Sequence, residues 1–294
     1  MDGASRPVLI TGAEGQLGRA LASSFARRGP VVAVGRGTLD ITDHAAVARC
    51  LAAERPSVVL NCAAYNDVDA AEGAASAALD VNAMAVRSLA RAAADIDACL
   101  VHFSTDFVFD GTARVPYTET DAPSPRSVYA QSKLLGEWFA ADAPRWFVLR
   151  VESLFGAAHW PGVRRVSSVD RIIDAIEAGE PARVFHDRTV SPSYLVDVAA
   201  AVMGLLDRDA PGGLYHVVNT GATTWLELGR LIASRLGRED LLVPIAAADL
   251  KLSASRPMFA ALSNDKLAAA GISMPTWQDA VARYLAHRQS QSRP

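Results

Sequence analysis

A tyrosine and a lysine stand one helical turn apart in the segment SVYAQSKLLGE, residues 127–137. The segment has the residue types of a helix, so Tyr129 and Lys133 should lie on the same helical face. A phenol has a pKa of ~10 and keeps its proton at neutral pH, and a nearby ammonium lowers that pKa by favouring the phenolate. Such a pair can give a proton to a developing alkoxide and recover it in the reverse reaction. Taken alone, the spacing is equally compatible with an ordinary exposed helix.

Hydrogen-bonding side chains end a candidate strand in VHFSTDFVFDG, residues 101–111. Ser104, Thr105 and Asp106 follow its apolar run, and the carboxyl ends of parallel strands are where such sheets present ligands. A hydroxyl there can hold a substrate carbonyl beside the tyrosine. The preceding strand runs into NCAAYND, where Ala63 and Ala64 either leave room for a cofactor backbone or serve packing alone.

A glycine-rich turn follows the first apolar run in LITGAEGQLGRAL. Gly12, Gly15 and Gly18 allow a tight turn and a close approach of backbone to ligand. The helix that begins near Gln16 offers unpaired N–H groups and a positive dipole end to a phosphate. With a strand before it and a helix after it, this pattern favours dinucleotide binding over a merely structural turn.

The second strand ends in VVAVGRG, where dinucleotide-binding folds often carry an acid for the ribose hydroxyls. Gly35 and Arg36 occupy this place. An arginine suits a 2′-phosphate, although a solvated surface arginine is the alternative interpretation, and Asp40 further on should border the adenine. We therefore expect NADPH to be preferred and NADH to be used less well.

These residues require an alternating α/β scaffold to bring them together. Short strand-like runs (PVLI, VVAV, SVVLNC, CLVHFS and WFVLR) alternate with helical segments at residues 17–28, 44–54, 75–94 and 127–141. Continuous apolar strands between helices indicate a parallel sheet that is covered on both faces. Residues 1–150 are thus expected to form a Rossmann-type doubly wound domain.

The second half of the chain is less regular. We expect helices at residues 164–178, 193–206, 224–236 and 276–286, with strands at ARVF and LYHVV. Part of 188–220 should complete the Rossmann domain, whereas 151–187 and 221–287 should form a smaller α/β substrate-binding part. The polar residues 288–294 are expected to be a tail.

Composition excludes several classes of protein. The 294 residues are 50% hydrophobic with a net charge of −3, and the basic residues are scattered, which argues against a nucleic-acid partner. The cysteines, Cys50, Cys62 and Cys99, show no CxxC spacing, so neither a disulfide framework nor a zinc site is expected. No apolar run approaches the ~20 residues of a membrane span, and no signal-peptide core begins the chain. We expect a cytoplasmic protein without a membrane partner.

Longer stretches resemble one family of extended short-chain dehydrogenases/reductases, the dTDP-4-dehydrorhamnose reductases and related deoxysugar 4-ketoreductases. The stretches span nearly the whole chain in the family's order: TGAEGQLG, LDITD, NCAAYNDVDAAE, DVNAMAVRSLA, FSTDFVFDGT, PYTETDAPSPRSVYAQSKLLGE, VLRVESLFG and RPMFAALSNDKL.

The resemblance implies specific roles. Catalysis would use Thr105, Tyr129 and Lys133. Cofactor contacts would come from Tyr129, Lys133, Gly12, Gly15, Gln16, Leu17, Gly18, Arg36, Asp40, Ile41, Ala63, Ala64 and Tyr65. Substrate contacts would come from Thr105, Asp106, Val151, Ser153, Pro192 and Arg256, the last of these on a pyrophosphate unless it makes only a surface ion pair.

Three departures from the family's pattern matter. Phe107 stands where the family usually has a tyrosine. Ala20 occupies the position of an acid that holds magnesium in some members, so no metal is expected. The segment AAHWPGVRRVSS, residues 157–168, also differs, which leaves the sugar open.

The implied activity is NADPH-dependent reduction of the 4-keto group of a nucleotide-linked, dTDP-type 4-keto-6-deoxysugar, as in the biosynthesis of dTDP-rhamnose or related deoxysugars. Tyr129 would be the general acid, and the resemblance also allows a homodimer. The alternative is an NADP-binding regulatory subunit like the beta subunit of methionine adenosyltransferase, which would not need an intact set of Thr105, Tyr129 and Lys133.

Overall fold

The structure, a computed structural model, describes residues 6–157 and 167–291. Its strands are β1 (Val8–Thr11), β2 (Val31–Val34), β3 (Val58–Asn61), β4 (Cys99–Thr105), β5 (Arg145–Val151), β6 (Leu154–Phe155), β7 (Ala182–Phe185), β8 (Thr189–Val190), β9 (Ser193–Tyr194), β10 (Gly213–His216), β11 (Thr223–Thr224) and β12 (Leu242–Ile245). A six-stranded parallel sheet in the order β2-β1-β3-β4-β5-β10 forms the centre.

Helices cover both faces of this sheet. They are α1 (Gln16–Phe25), α2 (His44–Glu54), α3 (Val68–Gly73), α4 (Ala75–Leu79), α5 (Ala85–Asp95), α6 (Val128–Ala140), α7 (Ser168–Glu177), α8 (Leu195–Asp207), α9 (Trp225–Leu236), α10 (Asp265–Ala269) and α11 (Trp277–Gln291). Helices α1 and α8 share one apolar cluster with the sheet, and α2 and α5 share another on the opposite face. Burial on both faces explains why the strands are apolar throughout rather than alternating.

A second, smaller unit lies beyond β5. Helices α7, α9 and α11 pack with the parallel pair β7–β12 around a separate apolar cluster that includes Phe155, Tyr194, Trp225 and Tyr284. Short pairs β6–β9 and β8–β11 connect this unit to the edge of the main sheet. The chain returns from it through α8 and β10, so that β10 adds the outer strand beside β5.

Two predictions, one of a helix and one of a tail, differ from the structure. The helix expected over 75–94 is widened by a π-helical turn at Asp80–Met84, where the backbone of Asn82 lies against Gly136 of α6. The prediction that 288–294 is a tail was wrong for its first part, because α11 continues to Gln291. Arg288 is buried there and pairs with Asp174 and Glu177. An arginine in a polar C-terminal run gave no sign of this pairing.

Other expectations fall outside the described residues. The helix expected over 164–178 begins at Ser168, capped by Ser167, and its first residues 164–166 are not described. The same holds for most of the divergent segment 157–168 and for the end of the chain, 292–294. Within the described ranges, no helix has the length and apolar character that crossing a membrane requires.

A buried ion pair lies behind the carboxyl ends of β4 and β5. Arg150, 1% exposed, donates from Nε and Nη2 to the two carboxylate oxygens of Glu137 at 2.8 and 2.7 Å. Ser104 Oγ donates to the same carboxylate at 2.5 Å. This bidentate pair joins α6 to β5, and both partners have lost their water, so each requires the other.

Removing one partner should therefore be costly. We expect Arg150→Met, which keeps much of the side-chain volume but leaves Glu137 as an unpaired buried charge, to lower the free energy of unfolding by about 3–5 kcal/mol. The measurement is urea unfolding followed by circular dichroism. Arg28→Met is the matched control, because Arg28 and its partner Asp207 are 50% and 51% exposed, and an exposed pair contributes at most about 1 kcal/mol. Equal losses in the two variants would contradict the role given to the buried pair.

Candidate active site

The predicted site residues meet at the carboxyl edge of the central sheet. In the parallel register Thr11 pairs with Val34 and Asn61, and Thr105 pairs with Val151. The segments that leave these strands therefore emerge side by side along one edge. This is the edge where open α/β sheets bind ligands.

The glycine turn after β1 is shaped for close approach. Gly12 has a left-handed backbone with φ 62°, and a Cβ built there would lie 2.6 Å from the backbone nitrogen of Ala63. A Cβ on Gly18 would collide with the carbonyl oxygen of Gly12. Helix α1 begins directly after Gly15, which offers no side-chain cap. The start of α1 therefore has no capping side chain from Gly15, and a helix N-terminus of this kind favours an external anion such as a phosphate.

The remaining predicted cofactor residues lie around this turn. Leu17 and Ile41 are buried, Ala63 is half-buried and Ala64 is exposed. The backbone of Tyr65 exchanges two hydrogen bonds of 2.9 Å with the amide of Asn82, from the π-helical turn. Asn82 therefore fixes the segment after β3, a role that no local sequence pattern indicates.

Arg36 lies at the rim of this region. Its side chain is 86% exposed, and Nε lies 3.3 Å from Asp40 Oδ2. Hydrogen bonds from Thr42, first from its backbone and then from its hydroxyl, lower the pKa of Asp40, and Arg36 adds to that effect. A Cβ on Gly35 would lie 2.5 Å from Glu14 Oε1. Glu14 of the glycine turn thus brings a carboxylate to the end of β2, which the strand itself lacks.

Helix α6 carries the tyrosine and the lysine. Ser127 caps it by accepting from the backbone of Ala130 at 3.2 Å, so Tyr129 stands in the first turn. Lys133 is 3% exposed, and its Nζ donates to the carbonyl of Phe103 on β4 at 2.5 Å. Burial is the main cause that lowers the pKa of Lys133 to about 8, against the opposing charge of Glu137. The lysine thus still carries its charge at neutral pH.

A buried histidine lies beneath that lysine. The Nε2 atom of His102 is 3.4 Å from Lys133 Nζ, and Nδ1 is 3.1 Å from the amide nitrogen of Asn61. Asn61 in turn accepts from Thr11 Oγ1 at 2.7 Å. Burial, and then the charge of Lys133, hold the pKa of His102 well below its usual value, so the ring is neutral. These contacts tie α6 to β1, β3 and β4.

Thr105 and Asp106 lie where β4 ends. The Thr105 hydroxyl donates to Asp106 Oδ1 at 2.8 Å and accepts from the backbone N–H of Phe107 at 3.2 Å. The ring of Phe107 meets that of Tyr129 edge-on, with ring centroids 5.7 Å apart. The structure therefore brings Thr105, Tyr129 and Lys133 to the same place, between β4 and α6.

The predicted substrate residues are more dispersed. Val151 and Pro192 are buried, and Ser153 has a left-handed backbone with φ 46° at the turn between β5 and β6. Arg256 is engaged by Asp69 of α3: Nη1 and Nη2 donate to its carboxylate at 3.0 and 2.5 Å, and Nη1 also reaches the Ala254 carbonyl. This pairing lowers the pKa of Asp69 to about 2. Because a guanidinium has five N–H donors, Arg256 keeps donors for a further anion.

Two charged residues lie near Asp106, and sequence reasoning gave neither of them a role of its own. Glu152 directly follows β5 and is 2% exposed, and Arg188 precedes β8 and is 9% exposed. The position of Glu152, one residue past a buried strand, was a usable signal. Nothing in the sequence pointed to Arg188. Among the described residues no group of histidine, cysteine, aspartate and glutamate side chains is arranged to hold a metal ion, and Ala20 is buried in α1.

The sheet order and the glycine turn, together with a helix that carries Tyr129 and Lys133, define a Rossmann-type nucleotide-binding α/β protein. The family model described as the RmlD substrate binding domain matches residues 6–290. A dTDP-4-dehydrorhamnose reductase of Streptomyces griseus is 38% identical, covering 90% of this chain and 88% of its own length. One of Mycobacterium tuberculosis is 36% identical, covering 97% and 94%. The chain belongs to the RmlD substrate binding domain family.

Solved structures agree with this assignment. A dTDP-4-dehydrorhamnose reductase of Bacillus anthracis, crystallised in complex with NADP, superposes with a TM-score of 0.89 at 30% identity. The match covers 96% of this chain and 99% of the other. The resemblance and the Rossmann-type fold that the sequence motifs predicted are therefore confirmed.

The burial of Lys133 has a consequence for stability. Its pKa is about 8 in the folded protein and 10.5 in a free side chain, so the unfolded chain binds more protons between those values. The folded protein should therefore gain stability as the pH rises through this window. Lys133→Met cannot gain stability in this way. The free energy of unfolding of the variant minus that of the unmodified protein should therefore decrease from about pH 8 upward.

Urea unfolding across this pH range, without added nucleotide, measures the difference. Lys251→Met, at an exposed lysine, is the control and should show a constant difference. A constant difference for Lys133→Met as well would contradict the effect of burial on this ammonium.

Proposed function

We propose that this protein uses NADPH to reduce the 4-keto group of a dTDP-linked 4-keto-6-deoxysugar. The observation that carries the proposal is that α6 contacts both sides of Thr105: Lys133 Nζ donates to the β4 carbonyl of Phe103, and the ring of Tyr129 meets that of Phe107. The relatives named dTDP-4-dehydrorhamnose reductase, and the neighbour bound to NADP, support the same reaction. The conclusion is an oxidoreductase that acts on a keto group.

The residues present fit a dinucleotide. The space above Gly12 and Gly18 is closed to any side chain, and α1 begins directly after Gly15 without a side-chain cap, which suits a pyrophosphate. The dinucleotide supplies the hydride when it is bound. Leu17, Ile41 and Ala63 would line the cofactor, with Arg36 and Asp40 at its adenosine end.

Three side chains then have separate roles at the keto group of the sugar. Tyr129 donates its phenolic proton to the oxygen as negative charge develops there. Lys133 remains charged near neutral pH and favours the resulting phenolate. Thr105 holds the carbonyl by a hydrogen bond, and the backbone N–H of Phe107 fixes the threonine oxygen. These contacts are stronger for an alkoxide than for a carbonyl, which is what lowers the barrier.

The sugar nucleotide would bind across the segments that follow β4 and β5. We place Asp106, Val151, Ser153 and Pro192 near the sugar and Arg256 at the pyrophosphate. The ion pair between Arg256 and Asp69 holds the guanidinium in place and leaves donors for phosphate oxygens. A cytoplasmic location and a homodimer complete the proposal.

A non-catalytic regulatory subunit is the weaker alternative. Such a protein would not require a proton donor. This chain keeps Thr105, Tyr129 and Lys133, and the last two lie on a helix that contacts Phe103 and Phe107, on either side of Thr105. The decisive assay is oxidation of NADPH in the presence of dTDP-4-keto-6-deoxysugars, with the product's configuration determined by NMR. A protein that binds NADPH but reduces no nucleotide-linked ketosugar would favour the alternative.

Removing the phenolic proton should impair turnover. Tyr129→Phe keeps the ring, and the loss of a general acid typically costs ~10²- to 10⁴-fold in rate. We expect kcat to fall by that order while the Kd for NADPH changes little. Tyr215→Phe is the control, because its hydroxyl bonds the Pro211 carbonyl, away from the site. If Tyr129→Phe keeps most of its rate in single-turnover measurements, the general acid is another group.

The cofactor preference should depend on Arg36. A charge pair ~4 Å apart near a protein surface is worth about 4 kcal/mol at a dielectric of 20, and at 86% exposure most of this is lost to solvent. We expect a preference for NADPH over NADH of about tenfold, or ~1.4 kcal/mol, which shrinks at high salt. Arg36→Ala should lower kcat/KM for NADPH and spare NADH.

The control is Arg27→Ala, at another exposed arginine, which should leave both cofactors unaffected. The measurement is kcat/KM for the two cofactors at low and high ionic strength. If Arg36→Ala still prefers NADPH over NADH as strongly as the unmodified protein does, the Arg36 guanidinium contacts only solvent and Asp40.

A further inference from the structure

A buried guanidinium without an ion-pair partner lies directly before β8. Arg188 is 9% exposed, so its positive charge has lost most of its contact with water. Within the described residues no carboxylate oxygen lies within 4.0 Å of its nitrogens. An arginine is rarely buried unless it is paired, because an unpaired charge away from water is costly. The position of Arg188 therefore requires an explanation.

The contacts of Arg188 leave its two terminal nitrogens available. Nε donates to the carbonyl of Pro257 at 3.4 Å, and Cζ lies 5.5 Å from the centroid of the Phe185 ring. In residues 6–157 and 167–291, Nη1 and Nη2 have no hydrogen-bond acceptor, and neither of them is fully enclosed by protein. A guanidinium has five N–H donors, and all but one belong to these two nitrogens. Most donors of this buried cation are thus free for a ligand.

The acids that face Arg188 are bonded to other groups. Three carboxylates act on it through their charge: Asp106, Glu152 and Asp187. Asp106 Oδ1 accepts from the Thr105 hydroxyl at 2.8 Å, and Glu152 Oε2 accepts from a backbone N–H at 2.6 Å. Asp187 accepts from a backbone N–H of the segment after β12 at 3.1 and 2.9 Å. These acids offset part of the charge of Arg188 without occupying its donors.

A second guanidinium belongs to the segment on which Arg188 rests. The Pro257 carbonyl that accepts from Arg188 Nε directly follows Arg256 in the chain. The two segments are joined by their backbones, since the Thr189 N–H donates to the Met258 carbonyl at 2.8 Å. Burial is the main cause that lowers the pKa of Arg188, and the charge of Arg256 adds to it. An anion that contacts both guanidinium groups would relieve this repulsion.

The two arginines lie at different distances from the reaction centre. The Phe259 N–H donates to the Gly111 carbonyl at 3.3 Å, so the segment that follows Arg256 packs on the loop after β4. Arg188 faces Asp106, the first residue after β4. Arg256 is bonded instead to helix α3. Arg188 is therefore on the side of the keto group, and Arg256 lies further from it.

We propose that Arg188 and Arg256 together bind the diphosphate of the sugar nucleotide, with Arg188 on the phosphate that carries the sugar. The identity of this ligand rests on the proposed function. A guanidinium presents parallel N–H donors that match phosphate oxygens. Arg256 is held by Asp69, and Arg188 is held by the Pro257 carbonyl and the Phe185 ring, so binding orders few side-chain torsions. The site recognises a nucleoside diphosphate over a monophosphate, because only the second phosphate reaches Arg188.

The test is the binding of dTDP and dTMP to the protein saturated with NADP⁺, measured by calorimetry. The dinucleotide keeps both ligands out of the cofactor site. In the unmodified protein dTDP should bind at least about tenfold more tightly than dTMP, because hydrogen bonds to a charged group contribute a factor of ten or more. Equal affinities for dTDP and dTMP would overturn the proposal without any variant.

Arg188→Met isolates the contribution of this guanidinium. We expect the Kd for dTDP to rise about tenfold and the Kd for dTMP to rise less than about threefold. The KM for the nucleotide-linked ketosugar should rise by about tenfold while kcat changes little, because the diphosphate is remote from the reacting carbon. Arg183→Met, at an exposed arginine of β7, is the control and should leave all these constants unchanged. An unchanged Kd for dTDP in Arg188→Met, or equal weakening of dTDP and dTMP, overturns the proposal.

Arg188→Lys serves if the methionine variant does not fold. It keeps a positive charge near Asp106 and Glu152 but replaces the planar fork of donors by one ammonium. The Kd for dTDP should still rise, by about threefold or more, and the Kd for dTMP should stay the same. If Arg188 only offsets the buried acids, this variant binds dTDP as tightly as the unmodified protein does, and that result contradicts the proposal.

Binding and turnover together separate this inference from the proposed function. A protein whose preference for dTDP is lost in Arg188→Met, but which reduces no nucleotide-linked ketosugar, overturns the proposed reaction and supports the diphosphate site. An active reductase whose affinity for dTDP does not depend on Arg188 overturns the role of Arg188 alone.

Discussion

The hydrogen bond from Lys133 Nζ to the Phe103 carbonyl fixes the geometry on which the site depends. A buried ammonium must be bonded, and the acceptor here belongs to the central strand β4. This contact sets the distance between α6 and the sheet, and with it the position of Tyr129 relative to Thr105. The neutral ring of His102 lies beneath the ammonium and is itself linked to Asn61 and β1. The lysine is thus both a charge beside the phenol and a link between helix and sheet.

Several buried polar and charged side chains lie at the same edge of the sheet. Glu137 and Arg150 form a bidentate pair behind it, and Ser104 bonds the same carboxylate. Such groups are costly unless they are satisfied, and here nearly all are. They hold the ends of β4 and β5 rigidly, which suits a reaction that needs atoms placed within a few tenths of an ångström. The exception at this edge is Oε1 of Glu152, the residue that directly follows β5.

The second half of the chain reaches the first through few but specific contacts. Asp69 of α3 binds both the Arg256 side chain and the backbone of Ala254, so the segment before α10 lies over the part that follows β3. In the C-terminal helix, Arg288 is held by Asp174 and Glu177 of α7. Charged residues distant in sequence thus close the smaller unit and attach it to the half of the chain that carries the glycine turn.

The sequence by itself determined the α/β class and the glycine turn, because these depend on short-range patterns: apolar strands and glycines at a turn. It also named Thr105, Tyr129 and Lys133 as candidates, through a fixed helical spacing and a family resemblance. Only the tertiary structure placed Asn82 on the Tyr65 backbone, His102 under Lys133, and Arg188 beside Asp106 and Glu152. It also buried Arg288 in a segment that composition predicts to be a tail. These contacts join residues far apart in the chain, and whether a charge is buried depends on which strands become neighbours, which no local pattern records.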